Sequence, residues 1–157
     1  MGLWPFSNKK LADRLKVDLH SHLIPGVDDG VKTTEEVLSI LQSFESYGYE
    51  KVITTPHIYP GVYPNTEAQL LEQFQKLQLH IQKAGINIAF ELGAEYYMHG
   101  ELLQKVKEKQ ALLSFTSERF LLIETSFHDR PMIWDELFFE LQFQGYKPIL
   151  AHPERYT

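Results

Sequence analysis

Apolar and polar positions along this chain follow a repeating order of strand and helix patterns. Residues 16–22 alternate with the two-residue period of a strand, whereas residues 34–47 place Val37, Leu41 and Phe44 on one helical face. Further strands are predicted at 51–55, 86–94, 119–124 and 147–151, with a strand-like run at 111–115, and further helices at 67–83, 100–109 and from Pro131 to Gly145. This order predicts an α/β fold with a mostly parallel sheet.

Capping and turn residues set the boundaries of these predicted elements. Thr33 with Glu36, and Thr66 with Gln69, have the spacing of capping boxes at the starts of two helices. Pro56 is expected to stop the second strand, because proline has no backbone N–H for a sheet. The run 111–115 is either one arm of a hairpin or a short strand before the core strand 119–124.

Composition narrows the class of protein. The chain has 157 residues, of which 43% are apolar, and this fits one domain over residues 1–157. It has no apolar run of membrane-spanning length and no signal-peptide pattern, so a cytoplasmic location without membrane insertion is expected. A net charge of −6 argues against nucleic acid as a partner. The absence of cysteine excludes disulfides, zinc–thiolate sites and a thiol nucleophile.

Histidine and glutamate recur where the predicted strands end. His20 and His22 close the first strand, and its two-residue period places both on one face. The later strands end at or beside His57, Glu95, Glu124 and His152. In parallel α/β folds, the carboxyl ends of the strands gather ligands and chemistry. Imidazole and carboxylate without sulfur suit Mn, Fe or Zn, so the pattern predicts a metal site.

Several neighbouring residues have two readings from the sequence. Asp18 lies on the same face as the histidine pair, and either orients an imidazole or is a helix or turn partner. Asp28-Asp29-Gly30 supplies a carboxylate near that pair and is also a typical turn. Arg155 suits bidentate phosphate recognition, or forms a surface ion pair with Glu154.

The remaining histidines and two tyrosines lie on a predicted helix or in predicted loops. His80 falls outside the apolar stripe of its predicted helix and is expected to be exposed, while His99 falls in a predicted loop. His128-Asp129-Arg130 is a loop that would line a substrate mouth or have no role. Tyr59 and Tyr63 either contact a substrate or pack locally.

The longest motifs resemble a known family. The strings from Asp18 to Gly30 (DLHSHLIPGVDDG) and from Ala151 to Tyr156 (AHPERY) resemble those of bacterial PHP-type protein-tyrosine phosphatases of capsule and exopolysaccharide operons. Thr55-Pro56-His57, Gly93-Ala94-Glu95 and Glu124 complete the resemblance to the PHP (polymerase and histidinol phosphatase) superfamily. The resemblance runs from about residue 16 to the last residue.

This resemblance implies a fold and a set of metal ligands. The fold would be a distorted (β/α)7 TIM-like barrel, and the metals would be up to three Mn²⁺ ions, with Fe or Zn as alternatives. The implied ligand groups are His20, His22 and Glu95 for the first ion, Glu95, Glu124 and His152 for the second, and Asp29 and His57 for the third. Arg155 would be the catalytic residue that contacts the phosphate.

The resemblance also implies an activity. The chain would hydrolyse phosphotyrosine with a metal-activated hydroxide, acting on a bacterial tyrosine kinase that regulates polysaccharide synthesis. Two alternatives remain open: a PHP phosphatase for a small phosphomonoester such as histidinol phosphate, and an inactive metal-binding or partner-binding fragment. A homo-oligomer is compatible with each of them.

The sequence departs from the family pattern at its C-terminal end. The family carries an Asp-x-His motif after its final core strands, and no such motif follows Tyr156 before the last residue, Thr157. The first ion would then lack its Asp and the third its His. A (β/α) barrel also needs more than about 200 residues. These points predict a barrel that lacks its last strands and a chain with little or no phosphatase activity.

Overall fold

Strands and helices alternate through residues 15–156, the part of the chain that the computed structural model describes. The strands are β1 (Val17–Ser21), β2 (Lys51–Thr54), β3 (His57–Ile58), β4 (Ala89–Leu92), β5 (Glu95–Tyr97), β6 (Phe120–Glu124) and β7 (Lys147–Leu150). The helices are α1 (Thr34–Ser46), α2 (Glu67–Lys83), α3 (Gly100–Lys107) and α4 (Trp134–Phe143), and a 3₁₀ turn covers Pro153–Arg155.

All the pairings among the seven strands of the described residues are parallel. One sheet has the order β1-β2-β4 and the other the order β3-β5-β6-β7. Backbone hydrogen bonds from Gly93 N to Thr54 O (2.8 Å) and from Glu95 N to Pro56 O (3.0 Å) continue the pairing from one sheet into the next. The α/β prediction is therefore confirmed. Within residues 15–156, β1 and β7 remain at open edges, so the described strands do not close a barrel.

Two short strands lie beyond the predicted strand ends. The strand predicted at 51–55 is β2, which stops before Pro56 as expected because proline has no N–H to donate to the ladder, and β3 begins directly after Pro56. The strand predicted at 86–94 is the shorter β4, and after a break at Gly93-Ala94 the additional strand β5 begins at Glu95. These breaks lie immediately before His57 and Glu95, so each break starts a short strand with a candidate ligand.

The capping boxes are confirmed, whereas several elements differ from the prediction. The run 111–115 forms only a single bridge, Phe115 to Phe120, because the hydroxyls of Tyr146 and Tyr96 accept from the backbone N–H groups of Leu112 and Leu113. Both predicted capping boxes form, at the starts of α1 and α2. The third helix ends at Lys107 rather than 109, and α4 begins at Trp134 because residues 131–133 form a turn.

The helices bury their apolar faces in one cluster with the strands. Val37 and Leu41 of α1, for example, share this cluster with Val52 of β2 and Ile123 of β6, and all four are fully buried. Burial of this apolar surface is the main stabilising contribution to such a fold. None of the helices in the described part of the chain is long and apolar enough to cross a membrane.

A substitution at Gly93 tests how tightly the strand break is packed. A Cβ at this position would lie 2.7 Å from Cδ1 of Phe115, a ring that is only 1% exposed. We expect Gly93→Ala to lower the free energy of unfolding by about 1–3 kcal/mol, because the core is overpacked. Urea unfolding followed by circular dichroism measures this change.

The matched control is Gly100→Ala at the start of α3. A Cβ there has no described heavy atom within 4 Å, and alanine favours helix over glycine by about 1 kcal/mol. The control is expected to be neutral or stabilising. Equal destabilisation by both variants would contradict the packing argument.

Candidate metal centre

The carboxylate of Glu95 lies at the centre of the candidate site. Its side chain is fully buried at the start of β5. Its Oε2 lies 3.1 Å from His20 Nε2, 3.2 Å from His22 Nε2 and 3.3 Å from His57 Nδ1, and its Oε1 lies 3.2 Å from His152 Nε2. Histidines from the end of β1, the start of β3 and the segment after β7 therefore surround one carboxylate.

Strand register brings these side chains together. His57 and Glu95 are direct partners in the pairing of β3 with β5, and Tyr97 is the partner of Glu124 in the pairing of β5 with β6. His20 and His22 leave the end of β1 on the same side, with their Nε2 atoms 3.3 Å apart. The prediction that the two histidines share a face is confirmed.

Two further carboxylates stand beside His57. Glu124 Oε2 lies 3.5 Å from His57 Nδ1, and Asp29 Oδ1 lies 3.7 Å from His57 Nε2 and 3.8 Å from His22 Nδ1. The Glu124 side chain is 13% exposed, and that of Asp29 is 64% exposed. All seven residues predicted as metal ligands therefore lie in one place at the carboxyl ends of the strands.

Three groups of these side chains bring their ligand atoms within 4.8 Å of one another. The groups are His20, His22 and Glu95; His22, Asp29 and His57; and His57, Glu95 and Glu124. The first is the group that the resemblance implies. The second and third differ from it in part, because His22 joins Asp29, and His57 lies where the resemblance implies His152.

The donor set fits divalent cations. Among the described residues, Glu95 Oε1 and His57 Nδ1 are buried atoms without a hydrogen-bond partner, since His152 approaches Oε1 without hydrogen-bond geometry. Buried polar atoms are normally satisfied, and an ion between these groups would satisfy both. Imidazole nitrogens and carboxylate oxygens are ligands of Mn, Fe and Zn, so the residues present fit such an ion.

The protonation states follow from burial and mutual proximity. Burial alone would raise the pKa of Glu95, but hydrogen bonds from His20 and His22 outweigh it and hold the pKa well below its usual value. Burial lowers the pKa of His57 and of His152, which favours neutral imidazoles with a free lone pair.

Two other groups have shifted pKa values for different reasons. Burial alone would lower the pKa of His22, but the hydrogen bonds to Asp28 and Glu95 raise it to about 10. Burial and the nearby charge of Glu95 raise the pKa of Glu124 to about 7. A cation bound here would stabilise the ionised form of Glu124 and displace the proton held by His22.

Arg155 lies near enough to Glu124 for its positive charge to act on the pKa of that carboxylate. It is exposed, its Cζ lies 5.6 Å from the ring centroid of Phe127, and it belongs to the 3₁₀ turn after β7. No ion pair joins it to Glu154 in the part of the chain that the structure describes. The turn follows His152, whose backbone has the left-handed φ of 50°, a conformation that non-glycine residues rarely adopt. This bend starts the turn that carries Arg155.

The tyrosines of the loop after β3 pack locally. Tyr63 stacks on His57 with ring centroids 5.1 Å apart and an interplanar angle of 10°, and Tyr59 stacks on Tyr97 at 3.8 Å. Both remain half-exposed. The local-packing reading is therefore observed, and Tyr63 in addition covers one candidate ligand.

The other histidines lie outside the centre. His80 is exposed on α2, as expected. His99 is the N-cap of α3 rather than a plain loop residue, and its Nδ1 accepts from Glu101 N at 3.4 Å. The segment 128–130 lines a small cleft with Tyr156, beside the end of β6.

Two carboxylates near the centre have surroundings that the sequence pattern does not indicate. Asp28, not the exposed Asp29, accepts a hydrogen bond from His22, at 2.7 Å. Asp18 has a buried Oδ2 without a hydrogen-bond partner in the described residues, and burial raises its pKa. The signal available in the sequence was the glycine at position 30, which indicates a turn tight against the first strand.

Comparison with known proteins places this site in a family. A family model described as "Capsular polysaccharide synthesis, CpsB/CapC" matches residues 16–157. Tyrosine-protein phosphatase YwqE from Bacillus subtilis is 34% identical over 139 residues, which are 88% of this chain and 54% of that protein. Putative tyrosine-protein phosphatase CapC from Staphylococcus aureus is 33% identical over 141 residues, with the same two coverages.

A solved structure agrees with the sequence matches. It is described as "Crystal structures of YwqE from Bacillus subtilis and CpsB from Streptococcus pneumoniae, unique metal-dependent tyrosine phosphatases", with a TM-score of 0.78 and 34% identity. The match covers 88% of the present chain and 56% of the solved chain. The present chain therefore spans about half the length of the curated relatives it matches. The resemblance to capsule-associated tyrosine phosphatases is confirmed, and the chain belongs to the CpsB/CapC family of capsular polysaccharide synthesis.

Proposed function

We propose that this chain carries the metal centre of a protein-tyrosine phosphatase that acts in capsular polysaccharide synthesis. The observation that carries the proposal is the convergence of four histidines on the buried carboxylate of Glu95. The names of the relatives support the reaction class, since YwqE is named a tyrosine-protein phosphatase and its structure is described as metal-dependent.

The proposed metal ligands are the seven converging side chains. They are His20, His22, Asp29, His57, Glu95, Glu124 and His152. Bound divalent cations, of which Mn²⁺ is the first choice, would stabilise charge on the phosphate oxygens and lower the pKa of the attacking water. Glu95 holds its negative charge between the histidines, and Arg155 is the group we assign to the phosphate, because its planar fork matches two phosphate oxygens.

A tyrosine leaving group suits this set of residues. A phenolate, with a pKa near 10, is a better leaving group than an alkoxide, so a strong general acid is less necessary. The chain has no cysteine, which excludes attack by a thiolate. Metal-assisted attack by water is the reaction that these residues support best.

The same proposal includes a substrate, a partner and a complete fold. The substrate would be a phosphotyrosine protein, with a bacterial tyrosine kinase as the expected partner, and the fold would be part of a (β/α)7 barrel. Parallel strands with ligands at their carboxyl ends support the barrel assignment. The cytoplasmic location and the homo-oligomer stay predictions.

The second candidate is binding of metal without phosphatase turnover. It is supported by the three groups of side chains whose ligand atoms lie within 4.8 Å of one another, since such groups bind an ion whether or not a phosphate is hydrolysed. A phosphatase for a small phosphomonoester is a further outcome of the same assay.

The deciding experiment compares substrates. The Mn²⁺-loaded chain is assayed on a phosphotyrosine peptide, the matching phosphoserine peptide and histidinol phosphate, with the Bacillus subtilis relative as the positive control. Mn²⁺-dependent turnover with preference for phosphotyrosine supports the first proposal. Metal binding without turnover supports the second candidate, and a chain that binds no divalent cation contradicts both.

Replacement of the central carboxylate tests the metal centre directly. We expect Glu95→Gln to weaken Mn²⁺ binding at least about 10-fold, because the amide removes the charge that faces the histidines. Isothermal titration calorimetry and metal analysis measure the affinity and the number of ions. The control is Glu72→Gln, whose exposed carboxylate pairs with Lys76 on the same helix and should leave binding unchanged. Unaltered affinity in Glu95→Gln would remove the basis for this centre.

Replacement of Arg155 tests the assignment of the phosphate-binding group. Arg155→Lys keeps the charge but loses the bidentate fork, so we expect inorganic phosphate to bind the Mn²⁺-loaded chain about 10-fold more weakly. Arg119→Lys is the matched control, because Arg119 packs on Tyr146 beside the opposite end of β6. The assignment fails when both variants bind phosphate as the unaltered chain does.

A further inference from the structure

We infer that Asp28 is a positioning residue that fixes the imidazole of His22 so that its Nε2 faces the metal centre. The inference rests on the metal centre proposed above. It adds a residue that is not among the candidate ligands and that acts through one of them.

Asp28 is held rigidly by three hydrogen bonds. Its Oδ2 accepts from His22 Nδ1 at 2.7 Å and from the backbone N–H of His57 at 2.9 Å, and its Oδ1 accepts from the backbone N–H of Gly30 at 2.9 Å. The side chain is fully buried. Because the two backbone donors fix the plane of the carboxylate, the position of the His22 ring follows from the backbone.

This contact selects one nitrogen of His22 as the metal-facing atom. An ionised carboxylate only accepts hydrogen bonds, so Nδ1 of His22 carries the proton in the contact with Asp28. Nε2 then points to the other side of the ring, where it lies 3.2 Å from Glu95 Oε2 and 3.3 Å from His20 Nε2. In metal sites, such a carboxylate partner orients the ring and raises the basicity of the ligating nitrogen.

Asp28 also connects the two histidines of neighbouring strands. The same Oδ2 bonds the ring of His22 and the backbone of His57, whose ring centroids are 4.6 Å apart. Gly30 allows this close approach, since a Cβ there would lie 2.3 Å from His22 O and 3.0 Å from Asp28 Oδ1. The two adjacent aspartates therefore have different roles: Asp28 is buried and positions a ring, while Asp29 is exposed at the centre.

The test is Asp28→Asn, studied with Zn²⁺ as a diamagnetic probe and ¹⁵N-labelled histidine. In the unaltered chain loaded with Zn²⁺, NMR is expected to show a protonated Nδ1 and a ligated Nε2 for His22. Asp28→Asn should weaken Zn²⁺ binding by about 10–100-fold and move the His22 ¹⁵N signals, because the amide no longer selects this tautomer.

The matched control is Thr54→Val. The Thr54 hydroxyl is buried, accepts from Leu23 N at 2.8 Å and donates to Ser21 O at 3.0 Å, so its loss weakens the end of β1 without touching His22. This variant should leave the His22 signals in place and change the Zn²⁺ affinity much less than Asp28→Asn does. A purely structural role for Asp28 would give both variants the same loss of affinity and unmoved His22 signals, which would overturn the inference.

Two further measurements on the unaltered chain test the inference without the variant. Should Asp28→Asn not fold, the unaltered Zn²⁺-loaded chain decides, since ligation through Nδ1 of His22 contradicts the assignment. Should the unaltered chain bind no Zn²⁺ or Mn²⁺, the proposed function fails. The downfield Nδ1–H proton of the Asp28–His22 hydrogen bond then still tests the positioning contact, and its absence from the metal-free chain overturns the inference.

Discussion

The buried negative charge of Glu95 is the constraint on which the site depends. A carboxylate removed from water costs several kcal/mol unless partners compensate it. Here the partners are histidine nitrogens, and one carboxylate oxygen still has no hydrogen bond within the described residues. An arrangement of this kind is poorly explained by stability alone, because an apolar residue in the same place would cost less. The proposed binding of a cation accounts better for the buried charge of Glu95.

The parallel sheets bring together the residues that compensate the buried charge of Glu95. Each strand ends on the same side, so one or two polar residues per strand are enough to assemble a dense group of ligands. The strand breaks before His57 and Glu95 contribute as well, since they start new short strands with these residues in register. The loop after β1 then adds Asp28, which aligns a ring without occupying a ligand position.

Much of the fold was predictable because its signals are local. The capping boxes at Thr33 and Thr66 and the helix over 67–83 depend on residues only a few positions apart, and the structure has them as predicted. The strand-like run at 111–115 keeps one antiparallel bridge, Phe115 to Phe120, while distant tyrosine hydroxyls, from Tyr96 and Tyr146, accept from the N–H groups of Leu112 and Leu113. No local pattern carries that information.

The candidate site also has a part that the sequence predicts and a part that only the folded chain determines. The sequence by itself determined which residue types occur at the strand ends, since period and spacing place His20, His22 and Glu124 there. The tertiary structure alone decided the partners: it set Asp28 rather than Asp18 against His22, and brought His57 beside Glu95 and Glu124. The physical reason is that hydrogen bonds and ion contacts depend on distances of about 3 Å between residues far apart in the chain, and only the folded backbone fixes those distances.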